Sequence, residues 1–372
     1  MRTGADRWLS VAIQVPGTAP LRFSLPAFLV SRTIRAPLMA LLSSRVVLYC
    51  SEAMGPPAPT AGNGLFIINS GGVTFYEGSS AGNATLIANP GSNGGEGGRI
   101  SFENLADDGG EARVELFGNG TLDIEFGGSV VSVGSIEGDG IVFLGKKELI
   151  TGSNDLSTTF SGTIQDSGDH SFPGSLEKIG NGTLTLRGEN TYLGGTTIES
   201  GKLVVANQSG SGTGSGAVSV NRGKLGGTGI IAGATTIGTG SGTGAFLAPG
   251  GETRTGQVPL TIQSALTFNA DATYTCTFKT QQNGHGTRAK VGMVIANGVT
   301  ISSGAMIELI GNITGALSQG FVLTLISNTS ANPISGTFSN LPDGSIVTIN
   351  GNNFQASYEG GDGNDLTLTV VP

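Results

Sequence analysis

The stretch whose residue types come nearest to ligating a metal is Gly360-Gly-Asp-Gly-Asn-Asp365. Calcium, a hard cation, takes six or more oxygens. In the calcium-binding Gly-Gly-x-Gly-x-Asp repeats, those oxygens come jointly from successive turns. Here the stretch occurs once, and its large apolar residue, Leu366, stands one position early. One copy cannot complete a cage. Asp362 and Asp365 are therefore weak calcium candidates, and the stretch reads as a turn into the last strand.

The other candidates for chemistry are weaker. Gly78-Ser-Ser-Ala-Gly82 satisfies Gly-x-Ser-x-Gly, but a nucleophile elbow needs a strand-to-helix turn, a histidine and an acid, and no helix-forming segment follows. Gly210-Ser-Gly-Thr-Gly-Ser-Gly216 and Gly238-Thr-Gly-Ser-Gly-Thr-Gly244 lack the Lys-Ser/Thr ending and the helix that would cradle a phosphate. They read as loops. His170 and His285, the two histidines, are too far apart to give a metal-ligand spacing. Cys50 and Cys276 form no Cys-x-x-Cys pattern, and nothing in their placement supports a disulfide. Asp107, Asp108, Glu111, Asp166 and Asp169 are the acids a polysaccharide lyase or hydrolase would draw on, yet none forms a motif with cations. No catalytic or cofactor-binding residue is expected.

These residues need elements to hold them, and composition limits what those elements are. The chain has 372 residues, 64 of them glycine, with 12% charged and 37% hydrophobic. So much glycine means either disorder or an all-β fold with a tight turn every few residues. The apolar content and positive mean hydropathy can bury a core, which a disordered chain cannot do. A net charge of −8 argues against a nucleic-acid partner, which requires clustered Lys and Arg. No run approaches the ~18 apolar residues of a membrane-spanning helix.

Short alternating runs bounded by Gly, Asn or Asp begin near Gly64. Among them are Arg99-Ile-Ser-Phe-Glu103, Ala112-Arg-Val-Glu-Leu116, Thr121-Leu-Asp-Ile-Glu-Phe126, Thr183-Leu-Thr-Leu186 and Lys202-Leu-Val-Val205. Period-2 alternation over four to six residues marks half-buried strands, and each glycine would cost a helix about 1 kcal/mol relative to Ala. Apolar runs recur in clusters of two or three before a loop. That spacing suits coils of roughly 20 to 30 residues that stack in parallel register and bury a continuous inner stripe. The expected fold class is all-β, a parallel β-helix or β-solenoid with short strands and Gly/Asn/Ser-rich turns.

One segment carries a family resemblance. Lys178-Ile-Gly-Asn-Gly-Thr-Leu-Thr-Leu-Arg-Gly-Glu-Asn-Thr-Tyr-Leu-Gly-Gly-Thr-Thr-Ile-Glu-Ser-Gly-Lys-Leu-Val-Val205 closely resembles the autotransporter-associated β-strand repeat of bacterial passenger proteins. The residues that match are Gly180, Gly182, Thr183, Leu184, Leu186, Gly188, Asn190, Thr191, Tyr192, Gly195, Thr196, Gly201, Leu203 and Val205. Ser79–Thr85, Gly134–Gly145 and Leu156–Gln165 upstream, and Leu247–Gly250, Gly336–Gly344 and Tyr358–Leu368 downstream, are similar to other parts of such passengers. The resemblance implies a right-handed, single-stranded parallel β-helix, exported to the cell surface or the extracellular space. It implies a non-catalytic structural or adhesin-like role, with glycans or cell-surface components as partners. A carbohydrate-active β-helix enzyme is the alternative.

There are departures from the family pattern. One good copy of the repeat implies a short rod. Relatives often carry an Asp where this chain has Lys290, which would remove a turn-forming residue. No run of alternating membrane strands that would form a translocator barrel follows the final Leu366-Thr-Leu-Thr-Val-Val371, so self-export is in doubt.

The expected domains are a poorly ordered leader at 1–62 and a passenger-like domain at 63–372. Within the latter, the repeat core spans about 176–206 and the passenger end about 245–372. The leader holds seven of the prolines and the single Trp. Its Arg32 to Met54 stretch has basic residues, a short apolar run and then small residues, as an export signal would. Arg45 interrupts the pattern, so the export signal is weak, and an upstream mis-start or a disordered leader stays open.

Overall fold

The computed structural model describes four strands in the leader, Trp8–Gln14, Leu21–Pro26, Met39–Leu42 and Arg45–Leu48. It also describes residues 60–372 apart from 77, 105–107, 167–172, 251–257 and 284–285. Cys50, Asp107, Asp169, His170 and His285 lie outside the described residues, as does most of the export-signal stretch. Among the described residues there is no α-helix, only one 3-10 turn at Ser92–Gly94 and many short strands. The chain divides into two compact units, residues 1–184 with 191–193, and residues 185–190 with 194–372. The division expected at residue 62 remains a proposal.

In the first unit, Gly72–Tyr76, Arg99–Glu103, Thr121–Asp123, Ile141–Phe143 and Thr163–Gln165 form a parallel ladder. Its register places Val73, Ile100, Leu122, Val142 and Ile164 in one column. Every member of that column is fully buried. The alternation read from the sequence causes this, because successive side chains on a strand point to opposite faces. Two residues along, on the same face, Phe75 stacks on Phe102 with ring centroids 5.0 Å apart. A second parallel ladder joins Thr85–Ala88, Asp108–Leu116 and Val130–Gly138, and buries Leu86, Val114 and Ile136. A third column is formed by Val131, Leu149 and Leu176.

The second unit repeats the scheme. Leu203, Leu225, Leu247, Tyr274 and Ile307 make one inner column. Ile198, Val220, Ile237, Phe268 and Ile301 make another. All ten side chains are buried. Tyr274 Oη donates to the Leu325 carbonyl at 2.6 Å, which satisfies a hydroxyl deep in apolar surroundings. Each strand of these columns pairs in parallel with its counterpart one coil further along the chain. The parallel β-solenoid is therefore the architecture of both units, and the stack is not a closed barrel.

Purely parallel pairing does not persist to the end. Ala272–Asn283 and Gly286–Val291 form an antiparallel hairpin. The last strands, Ile346–Ile349, Asn352–Gly360 and Asp365–Val371, form an antiparallel meander joined to Val322–Asn328. Lys290, expected at a position that had lost a turn residue, sits in the hairpin strand opposite Lys279. A tight antiparallel connection needs only a short loop, so these segments could leave the coil pattern without a long crossover.

Candidate functional site

Within the first unit, the residues of the repeat have structural tasks. Gly180 adopts φ +69°, and a Cβ there would collide with the Gly152 carbonyl oxygen. Gly182 is equally crowded by the Leu156 carbonyl. Thr183 is half-buried while Leu184 points into the core. Thr191 is exposed, and its N–H donates to the Ile164 carbonyl at 3.0 Å. Tyr192 is fully buried. Lys178, which opens the motif, is an inward-pointing lysine in register with Thr151. Its ammonium donates to the carbonyls of Ile179 and Gly180. Burial pulls its pKa down to about 8, partly countered by Asp155.

Within the second unit, Leu186, Leu203 and Val205 are core residues. Asn190 is buried and donates from Nδ2 to the Gly212 carbonyl at 2.7 Å. Thr196 is also buried, and its Oγ1 reaches the Thr213 carbonyl at 3.4 Å. Gly195 and Gly201 take left-handed φ values of +95° and +67°. A Cβ on Gly195 would press on the Ala217 carbonyl. Gly188 is half-buried in the turn after the Thr183–Leu186 strand. Each of these residues packs or turns its own coil.

The remaining candidates from the sequence fall into similar roles. Asp365 accepts the Asn328 N–H at 2.8 Å, and Asp362 is exposed in the connecting turn. Burial raises the Asp365 pKa, offset in part by that N–H. Among the described residues no three His, Cys, Asp or Glu side chains come together as a metal site. Ser80 Oγ accepts the Gly82 N–H, a local turn bond. The Gly238–Gly244 loop is held by the chain itself, because Asp271 accepts the N–H groups of Thr239, Gly240 and Gly242. Asp166 is buried and accepts the N–H groups of Gly174 and Leu193. Asp108 Oδ1 accepts the Gly110 N–H, and Glu111 is exposed. Cys276 is a buried free thiol whose pKa burial pushes far up.

One surface was missed by reasoning from the sequence. The outward face of the first ladder carries a groove of about 730 Å³, lined among others by Thr74, Arg99, Ser101, Glu103, Asp123 and Phe126. Its floor is polar but sealed. Thr74 Oγ1 and Ser101 Oγ share a hydrogen bond of 2.8 Å, and both residues are buried. Arg99 Nη2 donates to Asp123 Oδ2 at 2.6 Å, while Asp123 Oδ1 accepts the Glu125 N–H. Burial raises the Asp123 pKa, with the Glu125 N–H and then Arg99 opposing it. Phe126 stands on the turn beyond, 58% exposed, and its carbonyl accepts the Asn104 N–H.

The acids that pair with cations are others than the five weighed from the sequence. Arg99 and Asp123 are 24 residues apart, as are Arg113 and Glu137, whose side chains also pair. These separations match the coil length, so the signal was present once the coil register was known.

The model of the Passenger-associated-transport-repeat family matches residues 176–205. Over 128 residues the chain is 34% identical to the adhesin BmaC autotransporter of Brucella suis biovar 1 (strain 1330). That match covers 33% of this chain and 4% of the adhesin, so the chain spans only a small part of that relative's length. The chain thus carries a passenger-associated-transport repeat at 176–205, set in stacked parallel coils, and over 128 residues it is similar to a small part of an autotransporter adhesin.

Proposed function

We propose that this chain works outside the cell or on the bacterial surface as a non-catalytic, adhesin-like passenger. The observation that carries the reading is the repeat at 176–205, set in parallel coils whose motif residues are spent on packing and turns. The similarity to an autotransporter adhesin supports the same role. Among the described residues no helix is long and apolar enough to cross a membrane, a statement that does not bear on β-barrels.

The experiment is adhesion of beads coated with the purified chain to bacterial and epithelial cells, together with incubation on neutral and acidic polysaccharides. Bead attachment without product release is the expected result. Release of reducing ends or unsaturated products would overturn the non-catalytic reading.

A further inference from the structure

We propose that the groove beside Phe126 is a binding site for a neutral glycan; this rests on the reading of the chain as a surface-binding passenger and names its ligand class. The first observation is the exposed aromatic. A phenylalanine left 58% in water forgoes burial that most side chains of its size achieve. The turn that carries it is tied to a neighbouring segment of the chain, because its carbonyl accepts the Asn104 N–H. The second observation is what lies beside it. Above the buried Thr74, Ser101 and Asp123, the groove presents the Arg99 guanidinium and, in register on the next coil about 4.8 Å away, Thr121, together with the Glu96 and Glu103 carboxylates.

A saccharide ring matches both features. Its C–H face is apolar and stacks on an aromatic ring, while its hydroxyls, each both donor and acceptor, pair with planar charged groups through strong hydrogen bonds. Such sites combine an apolar wall with a few fixed polar groups. Charge selects the class of glycan. Glu96, Glu103 and Asp123 outnumber Arg99, and Arg99 is already engaged by Asp123, so the groove repels an anionic polymer.

The test uses the full chain in affinity electrophoresis through gels containing a neutral β-glucan, a neutral galactomannan or polygalacturonate. Retardation by a neutral glycan and none by polygalacturonate is expected. Phe126→Ala should weaken that retardation at least tenfold, Phe126→Trp should preserve it, and Leu156→Ala, an exposed apolar residue not lining the groove, should leave it unchanged. No retardation by either neutral glycan, or equal retardation of Phe126→Ala and the parent, overturns the proposal. Bead adhesion separates the two readings. Adhesion that survives Phe126→Ala without glycan binding removes the groove and keeps the adhesin, whereas Phe126-dependent glycan binding without adhesion does the reverse.

Discussion

Leu225→Ala probes an inner stacked column of the second unit. Leu225 is fully buried, with Leu203 of the repeat on one side and Leu247 on the other in strict register. Cutting a buried leucine back to alanine costs the transfer energy of the lost carbons plus the cavity left behind, about 2–5 kcal/mol. Here the strands on both sides are pinned by backbone hydrogen bonds to their neighbours, so the cavity can collapse little and the cost should lie near 3–4 kcal/mol. Stability in a stacked array is approximately a sum of coil and nearest-neighbour terms, so the loss should be local. Hydrogen exchange with peptide resolution is the assay. Peptides over the strands Lys202–Val205, Gly223–Gly227 and Ala245–Pro249 should exchange roughly 10²-fold to 10³-fold faster, since each ~1.4 kcal/mol is a factor of ten. Peptides over the C-terminal strand Asp365–Val371 should change little. Leu225→Ile, which keeps the volume, should cost less than about 1.5 kcal/mol. An alanine variant with parental exchange at all three strands would show that Leu225 does not face a packed interior.

Three further outcomes follow from the same geometry. Gly180→Ala combines a left-handed backbone with a collision against the Gly152 carbonyl, so it should lower the thermal midpoint by several degrees, whereas a Gly62→Ala control, where a Cβ meets nothing, should pay only the left-handed strain of about 1–2 kcal/mol. Lys178 is held near pKa 8 in the fold against about 10.4 in the unfolded chain. The unfolded state therefore binds more protons between those values, and stability should rise from pH 8 to pH 10, on the order of 1–2 kcal/mol after solvent screening, an increment that Lys178→Met should abolish in pH-dependent urea titrations. Asp271 has the same sign in an acidic window. Burial pushes its pKa up, but the N–H groups of Gly240, Thr239 and Gly242 outweigh burial and hold it below the ordinary value. The stabilisation it supplies is present above its unfolded pKa and is lost as pH falls through the lower folded value, so proteolysis within Gly238–Gly244 should quicken in acid, and Asp271→Ala should show the same nicking at neutral pH.

Strand identity, inward residues and approximate coil length were all legible in the residue pattern. Leu184 and Leu186, Leu203 and Val205, and the pair Ile100 and Phe102 are buried as alternation demands, because a two-residue period decides which side chains share a face. Successive members of the Val73 to Ile164 column are 20 to 27 residues apart, within the spacing read from the apolar clusters. The tasks of the motif glycines were not visible in one dimension, because the carbonyls that exclude a Cβ at Gly180 and Gly182 belong to Gly152 and Leu156 of the neighbouring coil. The groove was hidden for the same reason. Arg99, Asp123 and Phe126 carry no local motif, and only the register between coils brings them to one outward face. Alternation along a strand is a property of the local backbone, so the sequence alone determined what is inside. Which outward residues meet depends on the length of every intervening loop, and that was decided only when the coils stacked.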